Sequence, residues 1–296
     1  MEESNVQQHE LPSPELLSQN NFELLLRRIA DDIGFGTDES IFVGSGMEYV
    51  HSRPYQPGDS VRQIDWKVTA RMPIAYVKVH ETLKRIPMYL VVDTSASMQS
   101  SSTKLSKHSL AVWLAGAIGL VALRRLSPVC VLSGGSRYRD LIGEAEPSLV
   151  PDDLWRQLDP LRRRRAGEST ELGERIDALS VKLRQRSVLV VISDLYDSKL
   201  RSAMGKVGPK HDVIVLHVED PAERGRLRAG YFNGSESESA HRFLGSDLDR
   251  WTDRDDLERQ FASSDVSYLR LMTHQPVVSR LRQFLLTRSV QMRGRQ

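Results

Sequence analysis

The chain has few of the features that mark a secreted, membrane-spanning or nucleic-acid-binding protein. It contains one cysteine in 296 residues, so no disulfide can form within it, and this fits a reducing compartment. Its formal net charge is only +2, which gives no reason to expect nucleic acid or an acidic membrane surface as a partner. The N-terminal residues lack the charged-then-apolar order of a signal peptide. We therefore expect a cytoplasmic protein without nucleic-acid binding or membrane insertion.

Long hydrophobic runs are also missing. The longest apolar stretch, from Leu110 to Leu123, is too short to span a bilayer comfortably and contains two glycines, so it predicts a buried helix. The single cysteine, Cys130, lies in a short apolar run typical of a strand and is expected to be a small buried hydrophobe. What the chain does have is the composition of an ordinary soluble globular protein, large enough for one large or two modest domains.

Signatures of several enzyme classes are absent from the sequence. It contains no Gly-x-Ser-x-Gly nucleophile elbow, no Gly-x-x-x-x-Gly-Lys-Ser/Thr phosphate loop and no His-Glu-x-x-His zinc pair. A phosphatase of the haloacid dehalogenase type needs a second aspartate two residues after its first, as acid and base, and this chain has Ser95 in that place. These absences argue against serine hydrolases, nucleotide hydrolases, zinc peptidases and such phosphatases.

The hydrophobic pattern predicts three regions. Residues 1–13 are polar and are expected to form a disordered tail, and residues 14–84 are expected to form an N-terminal helix followed by a β-rich segment. Residues 85–290 alternate strand and helix patterns, and strands such as 187–192 are continuously apolar. This predicts an α/β fold, a mostly parallel sheet with helices on both faces, with a polar, β-rich insertion at 227–246.

Oxygen-bearing side chains follow the first strand of the alternating region. Asp93, Ser95 and Ser97 come directly after the apolar run 88–92. One carboxylate and two hydroxyls suit a hard divalent cation such as Mg²⁺, which prefers oxygen ligands. On its own, this spacing is also compatible with a helix cap or a phosphatase loop.

Two further residues at element junctions complete the pattern. Asp194 follows the strand that ends at Ile192, and Thr170 lies in a loop that opens a helix. Either residue alone could be a simple helix cap. Functional groups of an open α/β sheet gather at the carboxyl ends of its strands, so we expect both to lie near Asp93.

This set of residues resembles the metal-ion-dependent adhesion site of von Willebrand factor A domains. The resemblance implies a von Willebrand A/Rossmann-like fold and a site for Mg²⁺, with Mn²⁺ or Ca²⁺ as other candidates. It implies hydroxyl ligands at Ser95, Ser97 and Thr170 and carboxylates at Asp93 and Asp194. In that family a carboxylate from a protein partner completes the metal shell.

The segment upstream resembles the signature of a bacterial family of unknown function, domain-of-unknown-function family 58 (DUF58). The residues that carry the resemblance are Arg53, Tyr55, Pro57, Gly58, Asp59, Arg62, Asp65, Trp66, Arg71 and Glu81. That family joins this segment to a von Willebrand A-like domain and is often encoded beside MoxR-type AAA+ ATPases. The resemblance therefore implies such an ATPase as partner and a chaperone-like role in maturing or assembling another complex.

The residues of this segment favour a structural role. Residues 57–59, Pro-Gly-Asp, predict a tight turn. We expect Asp59 with Asp65, Arg62 and Arg71 to form an ion-pair network that docks the segment onto the following domain. Trp66 is expected to bury a large aromatic surface there. A partner-docking surface remains the alternative.

The sequence thus predicts a non-enzymatic, Mg²⁺-dependent protein-binding module. A metal held mostly by neutral hydroxyls stays electrophilic, which favours capture of a partner carboxylate. Two alternatives stay open. One is a metal-assisted hydrolase that uses Asp93 and Asp194, and the other is a structural scaffold with a vacant metal site.

Overall fold

The computed structural model describes residues 11–34, 47–82, 85–135, 146–163, 169–223, 232–235, 242–245 and 255–293. The strands in these ranges are β1 (Met47–Pro54), β2 (Tyr76–Thr82), β3 (Met88–Val92), β4 (Val129–Ser133), β5 (Val188–Ser193), β6 (Asp212–Glu219), β7 (Phe232–Ser235), β8 (Arg242–Gly245) and β9 (Val266–Met272). The helices are α1 (Gln19–Gly34), α2 (Trp66–Thr69), α3 (Lys107–Arg124), α4 (Pro151–Arg162), α5 (Leu172–Lys182), α6 (Leu200–Val207), α7 (Asp255–Ala262) and α8 (Val277–Arg293).

A five-stranded parallel sheet forms the centre of the larger of two units, which comprises residues 1–42 and 86–296. The strand order is β4-β3-β5-β6-β9, and every neighbouring pair is parallel. Because both sheet faces are covered, the central strands are continuously apolar, as in the wholly buried β5. Helices α1, α3, α4 and α8 pack on one face and α5, α6 and α7 on the other. The predicted α/β fold class is confirmed.

Helix α3 is buried on all sides in the core of this unit. Every residue from Lys107 to Leu123 is buried, which confirms the buried helix expected from the apolar stretch. Burial also raises the pKa of Cys130 to about 12, as expected for an inert buried thiol. Among the described residues, no helix is long and apolar enough to cross a membrane.

Helix α1 belongs to the larger unit, whereas the sequence grouped it with the β-rich segment in residues 14–84. Phe22 is buried with its ring 4.8 Å from that of Trp113 on α3. The Trp113 Nε1–H donates to the Pro12 carbonyl at 2.8 Å, and Leu11 packs against the same core. Residues 11–13 of the expected disordered tail are therefore ordered, and residues 1–10 lie outside the described part.

The smaller unit comprises residues 43–85. Its strands β1 and β2 pair in an antiparallel sheet, which confirms a β-rich N-terminal segment. In the 227–246 insertion, β7 and β8 form a second antiparallel pair.

Candidate functional site

The first candidate ligand, Asp93, follows β3 at the carboxyl edge of the parallel sheet. Its backbone N–H donates to the Ile192 carbonyl of β5 at 2.9 Å, and its side chain is buried. One carboxylate oxygen, Oδ1, accepts from the Ser95 N–H at 2.9 Å, and the other, Oδ2, accepts from the Ser193 hydroxyl at 2.6 Å. Burial first, and the charge of Asp194 second, raise the pKa of the Asp93 carboxyl to about 7.

The two serines of the motif lie in the turn that follows. Ser95 is fully buried, and its hydroxyl oxygen lies 3.0 Å from that of Ser97. Ser95 stands at the N-cap of the short 3-10 helix 96–99, but its side chain makes no capping hydrogen bond. Met98, in the same turn, is buried in the core and anchors it. Both hydroxyls are thus held beside the Asp93 carboxylate.

Thr170 reaches the same edge through a close backbone approach at Gly134. The Gly134 N–H donates to the Val92 carbonyl at 2.7 Å, and the Glu171 N–H donates to the Gly134 carbonyl at 3.0 Å. A Cβ at position 134 would lie 3.3 Å from the Asp93 Cα and 2.7 Å from the Leu172 side chain, so glycine permits this approach. The Thr170 Oγ1 is buried and has no hydrogen-bond partner among the described residues.

Asp194 follows β5 and is also buried. Its Oδ2 accepts from the Lys107 ammonium at 2.8 Å, whereas its Oδ1 is buried and has no hydrogen-bond partner in the described part of the chain. The next residue, Leu195, has a φ of 63°, so the chain turns sharply directly after the carboxylate. The charge of Asp194 is the second cause of the raised pKa of Asp93, which fits two carboxylates that lie near each other at this edge.

Three residues of this site were missed by the sequence reasoning: Ser193, Lys107 and Glu223. Ser193 donates to Asp93, and Lys107 contacts both Asp194 and Glu223. No sequence signal marked Lys107, because a lysine at the first position of a helix is ordinarily exposed to solvent. Burial acts to lower the pKa of Lys107, but the charges of Asp194 and Glu223 outweigh it and raise that pKa.

The donor set fits a hard divalent cation. No cluster of three or more His, Cys, Asp or Glu side chains suited to a metal occurs in the described ranges. A hydroxyl-rich site does not need one, because two carboxylates and three hydroxyls already supply oxygen ligands. The unpartnered, buried Thr170 Oγ1 and Asp194 Oδ1 are the kind of atoms that a bound ion would satisfy.

The turn of the upstream signature is built around Asp59. The Arg53 guanidinium binds the Asp59 carboxylate with two hydrogen bonds of 2.8 and 2.7 Å, and this holds the pKa of that carboxyl below its usual value. Gly58 has a φ of 107°, which explains the glycine between Pro57 and Asp59. The expected tight turn at 57–59 is present, with the Asp59 N–H donating to the Gln56 carbonyl at 3.0 Å.

The expected ion-pair network of Asp59, Asp65, Arg62 and Arg71 stays a prediction, because the side chain of Arg62 lies outside the described part. Asp59 pairs with Arg53, which the prediction did not include, and Asp65 caps α2 by accepting from two backbone N–H groups and from the Ser52 hydroxyl. Trp66 is 68% exposed, so the prediction that it buries a large surface is wrong.

The remaining signature residues lie in the same unit. Tyr55 follows β1 and is partly exposed, and Arg71 is exposed just after α2. The backbone of Arg62 lies in a 3-10 turn and that of Glu81 in β2, but their side chains lie outside the described part.

Comparison with known proteins places these features in a family without an assigned activity. The family model described as "Protein of unknown function DUF58" matches residues 51–263. Uncharacterized proteins of Mycobacterium bovis and Mycobacterium tuberculosis are 31% identical over 211 residues. The match covers 68% of this chain and 64% of those relatives, so the chain spans less than two thirds of their length.

A solved structure gives a more remote likeness. It is described as the crystal structure of an uncharacterized membrane-spanning protein from Vibrio fischeri, with 15% identity and a TM-score of 0.25. The match covers 68% of this chain and 97% of that one. This likeness is too remote to bear on fold or function.

Proposed function

The chain belongs to the DUF58 family of proteins of unknown function, and we propose that it is a non-enzymatic, Mg²⁺-dependent protein-binding module. The observation that carries the proposal is a pair of buried oxygens, Thr170 Oγ1 and Asp194 Oδ1, at the sheet edge that also holds Asp93; neither has a hydrogen-bond partner within the described ranges. Leaving such atoms unsatisfied costs about 1–3 kcal/mol each, so a ligand that binds them is the physical explanation we favour.

Each residue has a distinct role in this proposal. Asp93 and Asp194 supply negative charge, and Ser95, Ser97 and Thr170 supply hydroxyl oxygens. The Ser193 hydroxyl and the Ser95 N–H fix the orientation of the Asp93 carboxylate. A bound Mg²⁺ would supply an electrophilic coordination position for a carboxylate oxygen from a partner.

The proposed partner is a protein that offers an Asp or Glu side chain. The resemblance to von Willebrand A domains supports this class of ligand, and the resemblance of the upstream segment supports a MoxR-type AAA+ ATPase as that protein. The proposed outcome of binding is the maturation or assembly of another protein complex. We also propose that this takes place in the cytoplasm.

The test is co-purification of the full chain with a MoxR-type AAA+ ATPase encoded beside it, in Mg²⁺ and in EDTA. We expect binding in Mg²⁺ that EDTA abolishes, and no binding by Asp93→Ala in either condition. Asp31→Ala is the matched control, because Asp31 is an exposed carboxylate of the same unit that pairs with the exposed Arg124. Equal binding in all conditions would contradict the metal bridge.

A Mg²⁺- or Mn²⁺-dependent phosphatase or esterase activity that Asp93→Asn abolishes would contradict the non-enzymatic proposal.

One observation favours a second candidate, a scaffold that works without metal. The Lys107 ammonium already neutralises part of the charge of Asp194 from inside the core. Calorimetry separates the two candidates, because a metal-free scaffold would bind no Mg²⁺ even when a carboxylate such as acetate is added.

A further inference from the structure

A buried lysine lies at the candidate site and is not part of the motif that predicted it. Only 1% of the Lys107 side chain is exposed, and its ammonium contacts Asp194 at 2.8 Å and the Glu223 carboxylate. Lys107 is also the first residue of α3, where the helix dipole disfavours a positive charge. A lysine in such a place stays charged only if the attraction of its two carboxylate partners outweighs the cost of burial and the repulsion from the helix dipole.

Glu223 is itself held in place. It ends a short 3-10 turn, residues 221–223, that follows β6, and its second oxygen accepts from the Asp220 N–H at 3.1 Å. Asp220 in turn accepts from the Ser102 N–H at 2.8 Å, in the loop before α3. Glu223 therefore keeps the ammonium close to Asp194 from a fixed position.

We propose that Lys107 is a resident counter-cation that sets the metal affinity of the site by competing for Asp194. This inference rests on the proposed function. The ammonium takes one oxygen of Asp194, and any cation that binds the other oxygen shares that carboxylate with it and is repelled by it.

The charge balance gives Lys107 a second effect. Lys107 makes the group of Asp93, Asp194, Glu223 and the neighbouring Asp220 less negative by one charge when all are ionised. A less negative site accepts a further carboxylate more readily than a more negative one. Lys107 thus weakens Mg²⁺ binding by the free protein and favours the partner carboxylate once Mg²⁺ is bound.

The test is calorimetric titration of the full chain with MgCl₂, followed by sodium acetate, for the wild type and three variants. Lys107→Met keeps the length of the side chain and removes the charge, and we expect at least a roughly tenfold tighter Mg²⁺ affinity and a weaker acetate response. Glu223→Gln removes the charge of the second carboxylate, so the ammonium holds Asp194 more strongly, and we expect Mg²⁺ affinity to fall by about tenfold. Lys206→Met is the matched control, because it removes the same charge from an exposed pair, and its affinity should equal that of the wild type.

The double variant Lys107→Met/Glu223→Gln guards against misfolding, because it removes both partners of the buried pair. Its Mg²⁺ affinity should exceed that of Glu223→Gln by at least about tenfold. The inference would be overturned if Lys107→Met binds Mg²⁺ no more tightly than the wild type and the double variant binds it no more tightly than Glu223→Gln, with thermal melting showing that both are folded. That outcome would leave the proposed function standing. Absence of Mg²⁺ binding in every variant would overturn the proposed function and this inference with it.

Discussion

At the scale of single residues, the candidate site holds two buried oxygens, Thr170 Oγ1 and Asp194 Oδ1, without a hydrogen-bond partner in the part of the chain that the structure describes. The Thr170 hydroxyl loses its bonds to water on folding and gains none from those residues. Structures keep such groups rarely, and a functional site is one of the reasons. The same hydroxyl should therefore be dispensable for the fold and necessary for the ligand.

Replacing Thr170 with valine tests this directly, because the side chains have nearly the same shape. In EDTA we expect the free energy of unfolding to stay unchanged or to rise by up to about 1 kcal/mol, since a buried unsatisfied oxygen is removed. Mg²⁺ affinity should fall by about tenfold, measured by calorimetry.

Thr273→Val is the control for this prediction. The Thr273 hydroxyl is also buried but accepts from the Thr103 hydroxyl at 3.1 Å, so its loss should cost about 1 kcal/mol and leave Mg²⁺ affinity unchanged. A clear destabilisation by Thr170→Val with normal Mg²⁺ binding would indicate a structural role for Thr170 instead.

The raised pKa of Asp93 predicts how stability depends on pH in the absence of divalent cations. Burial and Asp194 raise this pKa from 3.8 to about 7, so the folded state favours the protonated form. Protonation of Asp93 therefore stabilises the folded state. This stabilisation is complete below the pKa of the unfolded state and is lost as the pH rises through about 7. Asp93→Asn cannot titrate, so its free energy of unfolding should rise relative to that of the wild type from about pH 4 to about pH 7 and then stay level.

Urea denaturation of both proteins in EDTA, across that pH range, measures the effect. Equal pH slopes for the wild type and Asp93→Asn would show that Asp93 does not titrate with a raised pKa. Mg²⁺ should reverse the order at about pH 8, because the ionised carboxylate then has a cation to bind.

At the scale of elements, the close packing of α6 distinguishes two glycines three residues apart. Gly208 has helical φ and ψ angles, but a Cβ there would collide with the backbone carbonyl of Ser264 and lie 3.2 Å from Val266. A Cβ at Gly205 would meet nothing within 4 Å. Conformation is therefore similar at the two sites, and only the neighbours differ.

Alanine at these two positions should have opposite effects on stability. Gly208→Ala should lower the free energy of unfolding by about 1–3 kcal/mol, because backbone atoms must move. Gly205→Ala should raise the free energy of unfolding by about 0.5–1 kcal/mol, because alanine is more favourable than glycine at an exposed position of a helix. Chemical denaturation measures both, and a loss of stability at both positions would contradict the packing of α6 against the 264–266 segment.

At the scale of the whole molecule, the candidate ligands belong to only one of the two units. The ligand positions Asp93, Thr170 and Asp194 lie in the larger unit, whereas the Arg53–Asp59 turn lies in the smaller one. A ligand that binds only the folded form of a unit stabilises that unit by mass action.

Mg²⁺ should therefore protect the two units unequally. At a hundredfold excess over its dissociation constant we expect about 2.7 kcal/mol of added stability in the larger unit. Hydrogen-exchange mass spectrometry should show slower exchange near β3 and β5 and no change in β1 and β2. Asp93→Ala should lose the effect, and equal protection of both units would argue against a site confined to the larger one.

Some of the fold could be predicted because it depends on local pattern. The apolar run at 188–192 forms most of β5, and the apolar stretch at 110–123 lies in a buried helix, because elements buried on all sides are mostly apolar. Helix α4 has no such continuous run, and it contains Pro160, which ordinarily ends a helix, although Pro151 at its start is favourable.

The sequence by itself determined the α/β class and the oxygen-rich turn from Asp93 to Ser97, since both follow from neighbours along the chain. Only the tertiary structure decided what surrounds that turn. Lys107 contacts Asp194 across 87 positions, and Ser193 contacts Asp93 across 100. Such pairs depend on the order and register of strands in the sheet, which hydrophobic periodicity does not encode.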